Sequence, residues 1–132
     1  MRVVFDTNVV LAAFITHGAS AELFDHCLTE HTIICSPFIL DEVADKLLNK
    51  FHFPKTKVDD LIRFLRSEVE IVEPSVLPKQ VCRDADDDVI LATALAARAD
   101  CVLTGDSDLL DLKTYEGIAI LKVGEFWKFE TR

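Results

Sequence analysis

Long uncharged hydrophobic runs are missing from this sequence. The first apolar stretch, Val3-Val4-Phe5, is cut by Asp6, and no later run reaches the length of a secretory leader core or a membrane-spanning helix. A cytoplasmic protein is therefore expected. Glycine and proline are scarce, at four each, and supply neither a flexible linker nor a low-complexity tract. Positive charge is also in deficit. Lys and Arg number 14 against 23 Asp and Glu, a net charge of −9, which at first sight argues against a nucleic-acid partner. The four cysteines, Cys27, Cys35, Cys82 and Cys101, form no C-x-x-C pair and have no ordered histidine partner. A structural zinc site thus has almost no support, and reduced, partly buried thiols are expected.

What the chain has is apolar bulk. Half of its 132 residues are hydrophobic, enough for the core of one domain spanning 1–132, and no internal repeat divides it. The charge is unevenly spread. Residues 46–66 hold Lys46, Lys50, Lys55, Lys57, Arg63 and Arg66 against Asp59 and Asp60, a local balance of +4 that leaves −13 elsewhere. Taken alone, that segment reads as the solvated faces of two helices. Beside an acidic body, it also offers an arm for phosphates.

Periodicity places five strands, at Arg2–Phe5, Thr32–Cys35, Glu70–Val72, Cys101–Thr104 and Ile118–Val123. Helices are expected over Ala19–Leu28, from Pro37 to about Phe51, after Pro54, and over Asp86–Arg98, with a last turn at Glu125–Phe129. Ser36-Pro37 is a strong helix start, Ser as N-cap and Pro at the first helical position. Its helix should turn Ile39, Val43, Leu47 and Leu48 to the core. The alternation predicts an α/β fold: three layers, with a central, mostly parallel sheet of about five strands and helices on both faces. Sites in open sheets of this kind form at the carboxyl ends of the strands.

That rule singles out acids. Asp6 stands at the carboxyl end of the first strand, and Asp106 and Asp108 stand just beyond Cys101–Thr104. Asp84, Asp86, Asp87 and Asp88 crowd the start of the alanine-rich helix, where the helix dipole and free N–H groups suffice to explain carboxylates. Phase separates them. Asp87 precedes Ile90, Leu91, Ala94 and Leu95 by three, four, seven and eight residues and so continues the buried stripe, while Asp86 points well off it and Asp88 sits nearer its edge. A carboxylate on a buried face is costly unless it is paired or binds a metal. Glu42 lies at the border of an apolar helix face, a common place for a merely solvated Glu. Converging acids suit a hard divalent cation, and with it phosphodiester hydrolysis.

Four segments, in this order, resemble the PIN-domain ribonucleases. They are Val3-Val4-Phe5-Asp6-Thr7-Asn8-Val9, Ser36 through Leu40-Asp41-Glu42-Val43, Asp84-Ala85-Asp86-Asp87-Asp88, and Leu103-Thr104-Gly105-Asp106-Ser107-Asp108-Leu109-Leu110. Ala85 departs from the family, where proline is frequent. The resemblance covers nearly the whole length and implies a Mg²⁺- or Mn²⁺-dependent endonuclease acting on single-stranded RNA. It implies that Asp6, Glu42, Asp87 and Asp106 hold the metal, with Asp108 as an additional acid, and that Asn8 and Thr104 steady them; Asp84, one turn before Asp87, is by its place a candidate helix cap or supporting partner of these acids. The branch it resembles is the single-domain, VapC-type toxins of toxin–antitoxin systems, which implies a homodimer and an antitoxin partner. Lys46, Lys50, Lys55 and Lys57 are the candidate RNA contacts.

Three other functions were weighed against this one. A haloacid-dehalogenase-type phosphatase also places an Asp after its first strand, but it wants Asp-x-Asp where this chain has Asp6-Thr7-Asn8. A non-catalytic RNA- or protein-binding module of the same fold would not need all four acids. A DNA-directed nuclease would share them.

Overall fold

The computed structural model describes residues 1–131. Six strands form one sheet: β1 (Arg2–Phe5), β2 (Thr32–Cys35), β3 (Glu70–Ile71), β4 (Cys101–Leu103), β5 (Thr114–Tyr115) and β6 (Ile118–Leu121). Seven α-helices flank it among the described residues: α1 (Thr7–Ile15), α2 (Ala19–Glu30), α3 (Pro37–Asn49), α4 (Lys55–Glu68), α5 (Ala85–Ala97), α6 (Ser107–Leu110) and α7 (Phe126–Glu130).

The strand order is β3-β2-β1-β4-β6-β5, parallel throughout except where β5 runs antiparallel to β6. The chain therefore winds outward from β1 in one direction through β2 and β3, then returns to add β4 on the other side. A topological switch point lies between β1 and β4. After Arg2, both strands are apolar because both faces of the sheet are covered there: Val3, Val4, Phe5, Cys101, Val102 and Leu103 have no exposed surface.

The expected α/β architecture is present, with three corrections. The sheet has six strands rather than about five, the extra one being the two-residue edge strand β5. Helix α1 lies in a stretch for which no helix was expected; its run of Val9-Val10-Leu11-Ala12-Ala13-Phe14-Ile15 carries no polar residue to mark a period, because it is wedged against α2 and α3. Leu48, expected in the core, is 38% exposed. It sits one residue round the helix from Leu47, which fills that position. All four cysteines are buried and free, and burial pushes each thiol up to about 12, which makes them inert packing groups. Among the described residues no helix is long and apolar enough to cross a membrane.

Candidate active site

Asp6 ends β1 and begins α1. Its backbone N–H donates to the Leu103 carbonyl of the neighbouring strand at 2.9 Å, which locks the residue at the switch point. Its carboxylate is 8% exposed and held at both oxygens: Thr7 N–H donates to Oδ1 at 2.7 Å, and the buried Thr104 hydroxyl donates to Oδ2 at 2.7 Å. Burial still raises its pKa, against the pull of those two hydrogen bonds.

Asp106 follows β4 across the switch point. It caps α6, its Oδ1 accepting from Asp108 N–H at 2.7 Å, while its own N–H donates to the Thr104 hydroxyl oxygen at 3.0 Å. Thr104 is thus a joint between the two acids: its hydroxyl gives its proton to Asp6 and takes one from the Asp106 backbone.

The start of α5 resolves the run of aspartates. Asp84 is the N-cap and accepts from Asp86 N–H at 2.9 Å. Asp88 turns away, its two oxygens accepting from the backbone N–H groups of Val81 and Cys82 at 3.0 and 2.8 Å, which fastens the preceding loop to the helix. Asp87 faces inward and is 9% exposed. Its pKa is raised to about 6, first by burial and then by the charges of Asp106, Asp84, Asp6 and Asp108, with no hydrogen bond to offset them.

Glu42 arrives from α3, which Ser36 caps through its side chain and Pro37 opens. The Thr7 hydroxyl donates to Glu42 at 2.6 Å, a tether that sequence reasoning did not anticipate. Lys46, one turn further along α3, donates to Asn8 Oδ1 at 3.2 Å.

These groups line one cavity of about 140 Å³: Asp6, Asn8, Glu42, Lys46, Asp84, Asp87 and Asp106 all contribute to its wall. Asp86, expected to point off the buried stripe, is exposed yet reaches the same rim because the cavity opens at the helix end. Three helix N-termini, those of α1, α5 and α6, begin at the acids Asp6, Asp84 and Asp106, and their dipoles lower the cost of gathering negative charge. Asp108 does not line the cavity. Carboxylate oxygens of Asp87, Asp106 and Asp108 nevertheless lie within 4.8 Å of one another, and Arg83 grips Asp108 at 2.8–3.2 Å through two guanidinium nitrogens. Arg83 was not among the expected residues; it lies 25 positions before its partner, in a loop without periodicity.

The expected basic arm divides. Lys46 reaches the cavity, where its charge pulls against the raised pKa of Asp6. Lys50, Lys55 and Lys57 do not line it: Lys50 lies 5.5 Å from the Phe51 ring, Lys57 lies 4.7 Å from the Phe53 ring, and Lys55 pairs with Asp59 at 3.1 Å.

The donor set is entirely oxygen, close-packed and mutually repelling. That fits a hard divalent cation such as Mg²⁺ or Mn²⁺, whose charge would relieve the repulsion that raises Asp87.

A doubly wound sheet with its acids collected at the switch point defines a class of α/β domains built to gather negative charge in one crevice. Within that class the chain belongs to the PIN domain family, whose profile matches residues 2–108. Among solved structures, its fold is similar to VapBC2 from Rickettsia felis bound to a DNA fragment from their promoter, with a TM-score of 0.66 at 15% identity over 92% of this chain and 98% of that one. It is also similar to VapBC-1 from nontypeable Haemophilus influenzae, with a TM-score of 0.65 at 13% identity over 94% and 99%. A toxin–antitoxin complex from Klebsiella pneumoniae gives a TM-score of 0.62 at 22% identity over 92% and 97%. Among curated proteins none matches the sequence.

Proposed function

We propose that this PIN-domain protein is a metal-dependent endoribonuclease that cleaves phosphodiester bonds of single-stranded RNA as the toxin of a toxin–antitoxin pair. The observation that carries the reading is the convergence of Asp6, Glu42, Asp87 and Asp106 on one polar cavity. Those four would hold Mg²⁺ or Mn²⁺, with Asp108 able to join from the side of Asp87 and Asp106. When bound, such an ion lowers the pKa of water and neutralises charge developing on phosphate oxygens.

The chain's own groups do the positioning. Thr104 and Thr7 fix the oxygens of Asp6, and Thr7 also orients Glu42, so a single helix start aligns two acids from different layers. Asp87 has no such tether and is free to adjust. Among the described residues Lys46 is the one cation in the cavity wall, and it offers a contact for a substrate phosphate.

The solved structures of similar fold include toxin–antitoxin complexes, which supports an antitoxin partner for this chain. The same reading includes a homodimer in the cytoplasm.

The purified protein should cut single-stranded RNA only with Mg²⁺ or Mn²⁺. Asp6→Asn should lower the rate by about a thousandfold or more, of the order that removing a key electrostatic group costs, and EDTA should abolish it. Undiminished cleavage by Asp6→Asn would remove the acidic cavity as the site. Retention of RNA without cutting in either metal would make the chain a binding module, and preference for DNA would move it to the DNA-directed nucleases.

A further inference from the structure

A second cluster of ligand-type side chains lies at the opposite edge of the sheet. His31 immediately precedes β2, at the amino ends of the strands, whereas the acidic cavity lies at their carboxyl ends. A four-residue strand separates the two edges by roughly 13 Å. There the Nε2 atoms of His26 and His31 converge on one oxygen of Glu130, at 2.6 and 2.5 Å. The three ligand atoms lie within 4.8 Å of one another.

The surroundings hold these rings in place. His26 packs at 4.8 Å against Trp127, His31 at 5.6 Å against the fully buried Phe126, and the two imidazoles meet edge to face at 5.6 Å. The His31 side chain is 10% exposed, His26 28% and Glu130 23%, so the cluster is sheltered yet open on one side. The nuclease chemistry makes no use of any of them.

We infer that His26, His31 and Glu130 form a binding site for a first-row transition ion of the zinc type, which clamps α7 onto the end of α2. Two imidazoles and one carboxylate are the donor set such ions take, with a fourth position left to water. Mg²⁺ prefers oxygen alone, so the two edges of the sheet select different metals. The geometry is close to what an ion requires. Ligand bonds of about 2.0–2.2 Å place neighbouring tetrahedral ligands roughly 3.3 Å apart, so Glu130 needs to withdraw by less than about 1 Å. Each Nε2 has to turn its lone pair from Glu130 to the ion, so each ring proton moves to Nδ1; at His31 that nitrogen accepts from the Met1 ammonium at 3.0 Å, a contact that gives way as the ion binds. The ligands are 104 residues apart in the chain, so the ion would close nearly the entire fold.

Zn²⁺ titrated into the whole chain by calorimetry, in saturating Mg²⁺ to fill the acidic cavity, should show one bound ion per chain. Co²⁺ in its place should give the intense visible absorption of a four-coordinate nitrogen-containing site, which an all-oxygen octahedral site lacks. His26→Gln and Glu130→Gln should each weaken Zn²⁺ binding at least tenfold, while Asp6→Asn leaves it unchanged. The wild-type protein supplies a reading independent of any variant: the ring ¹⁵N resonances of His26 and His31 should shift on adding Zn²⁺. Unmoved ring resonances, or equal Zn²⁺ affinity in the wild type and both Gln variants, would overturn the site and leave the cluster a plain pair of imidazole–carboxylate hydrogen bonds.

Discussion

Thr104 shows how much of the site hangs on one hydroxyl. Thr104→Val keeps the shape but removes the donor to Asp6 and the acceptor for Asp106 N–H. The expected loss is about 1–3 kcal/mol of stability, since a buried carboxylate loses a partner, and about ten- to a hundredfold in RNA cleavage; chemical denaturation and single-turnover rates measure the two. The charge state of Asp87 gives a second test. Its folded pKa of about 6 lies above its ordinary value of 3.8, so between those limits the unfolded chain has released a proton that the folded chain retains. Stability of the metal-free protein should therefore fall as pH rises from about 4 to about 6, and stay low above that. Asp6, whose pKa burial also raises, acts in the same sense as Asp87, while Glu70 and Glu130, whose pKa values are lowered, act in the opposite sense below about 4.5. Melting temperatures across that window should decline in the wild type and decline less in Asp87→Asn, and Mg²⁺ should restore the wild type above pH 6.

Several of these residues were legible one at a time. Asp6 and Asp106 stand at the ends of short apolar strands, and the apolar phase of α5 alone separates Asp87 from Asp88. Glu42 was not readable in that way. What gives it a place is Thr7, 35 positions earlier, on a helix whose continuous apolar run hides its period.

At the scale of elements, termini decide more than interiors. Helix α5 ends on Arg98, whose φ of 51° puts a non-glycine residue in the left-handed region that a glycine would occupy without strain. Arg98→Gly should raise stability by about 0.5–1 kcal/mol, a rise of about 3 °C in Tm, with cleavage unaltered. A loss of stability would show that the Arg98 side chain contributes more than its backbone costs. Two short elements near the end of the sheet were not read from the sequence. The two-residue β5 and the four-residue α6 are too short to show alternation or a stripe, and both depend on β6 and the core behind it. The longer strands and the capped helix α3 announced themselves through β-branched runs and the Ser36-Pro37 start.

The molecule as a whole bears a net charge of −9, so under the proposed function its approach to RNA would depend on where its cations are. Lys50 and Lys57 lie outside the cavity, beside aromatic rings, on the basic stretch that runs from α3 into α4. Reversing both to Glu should weaken RNA binding and lower the slope of log affinity against log salt by about 1–2, roughly 0.7 for each phosphate contact to a single strand. An unchanged slope would make that stretch an ordinary solvated surface.

The switch point also has a consequence in time. Asp6 and the Thr104 hydroxyl that orients it are 98 residues apart, and Asp6 is made first. At roughly 5–20 residues per second, translation delivers β4 some 5–20 s after β1. Until then β1 has a bare edge beside which Asp106 should stand, and a chain that stops short of Asp106 lacks the full set of acids. For those seconds the growing chain carries Asp6 without the residues that complete its cavity: most of the handle is made before the blade.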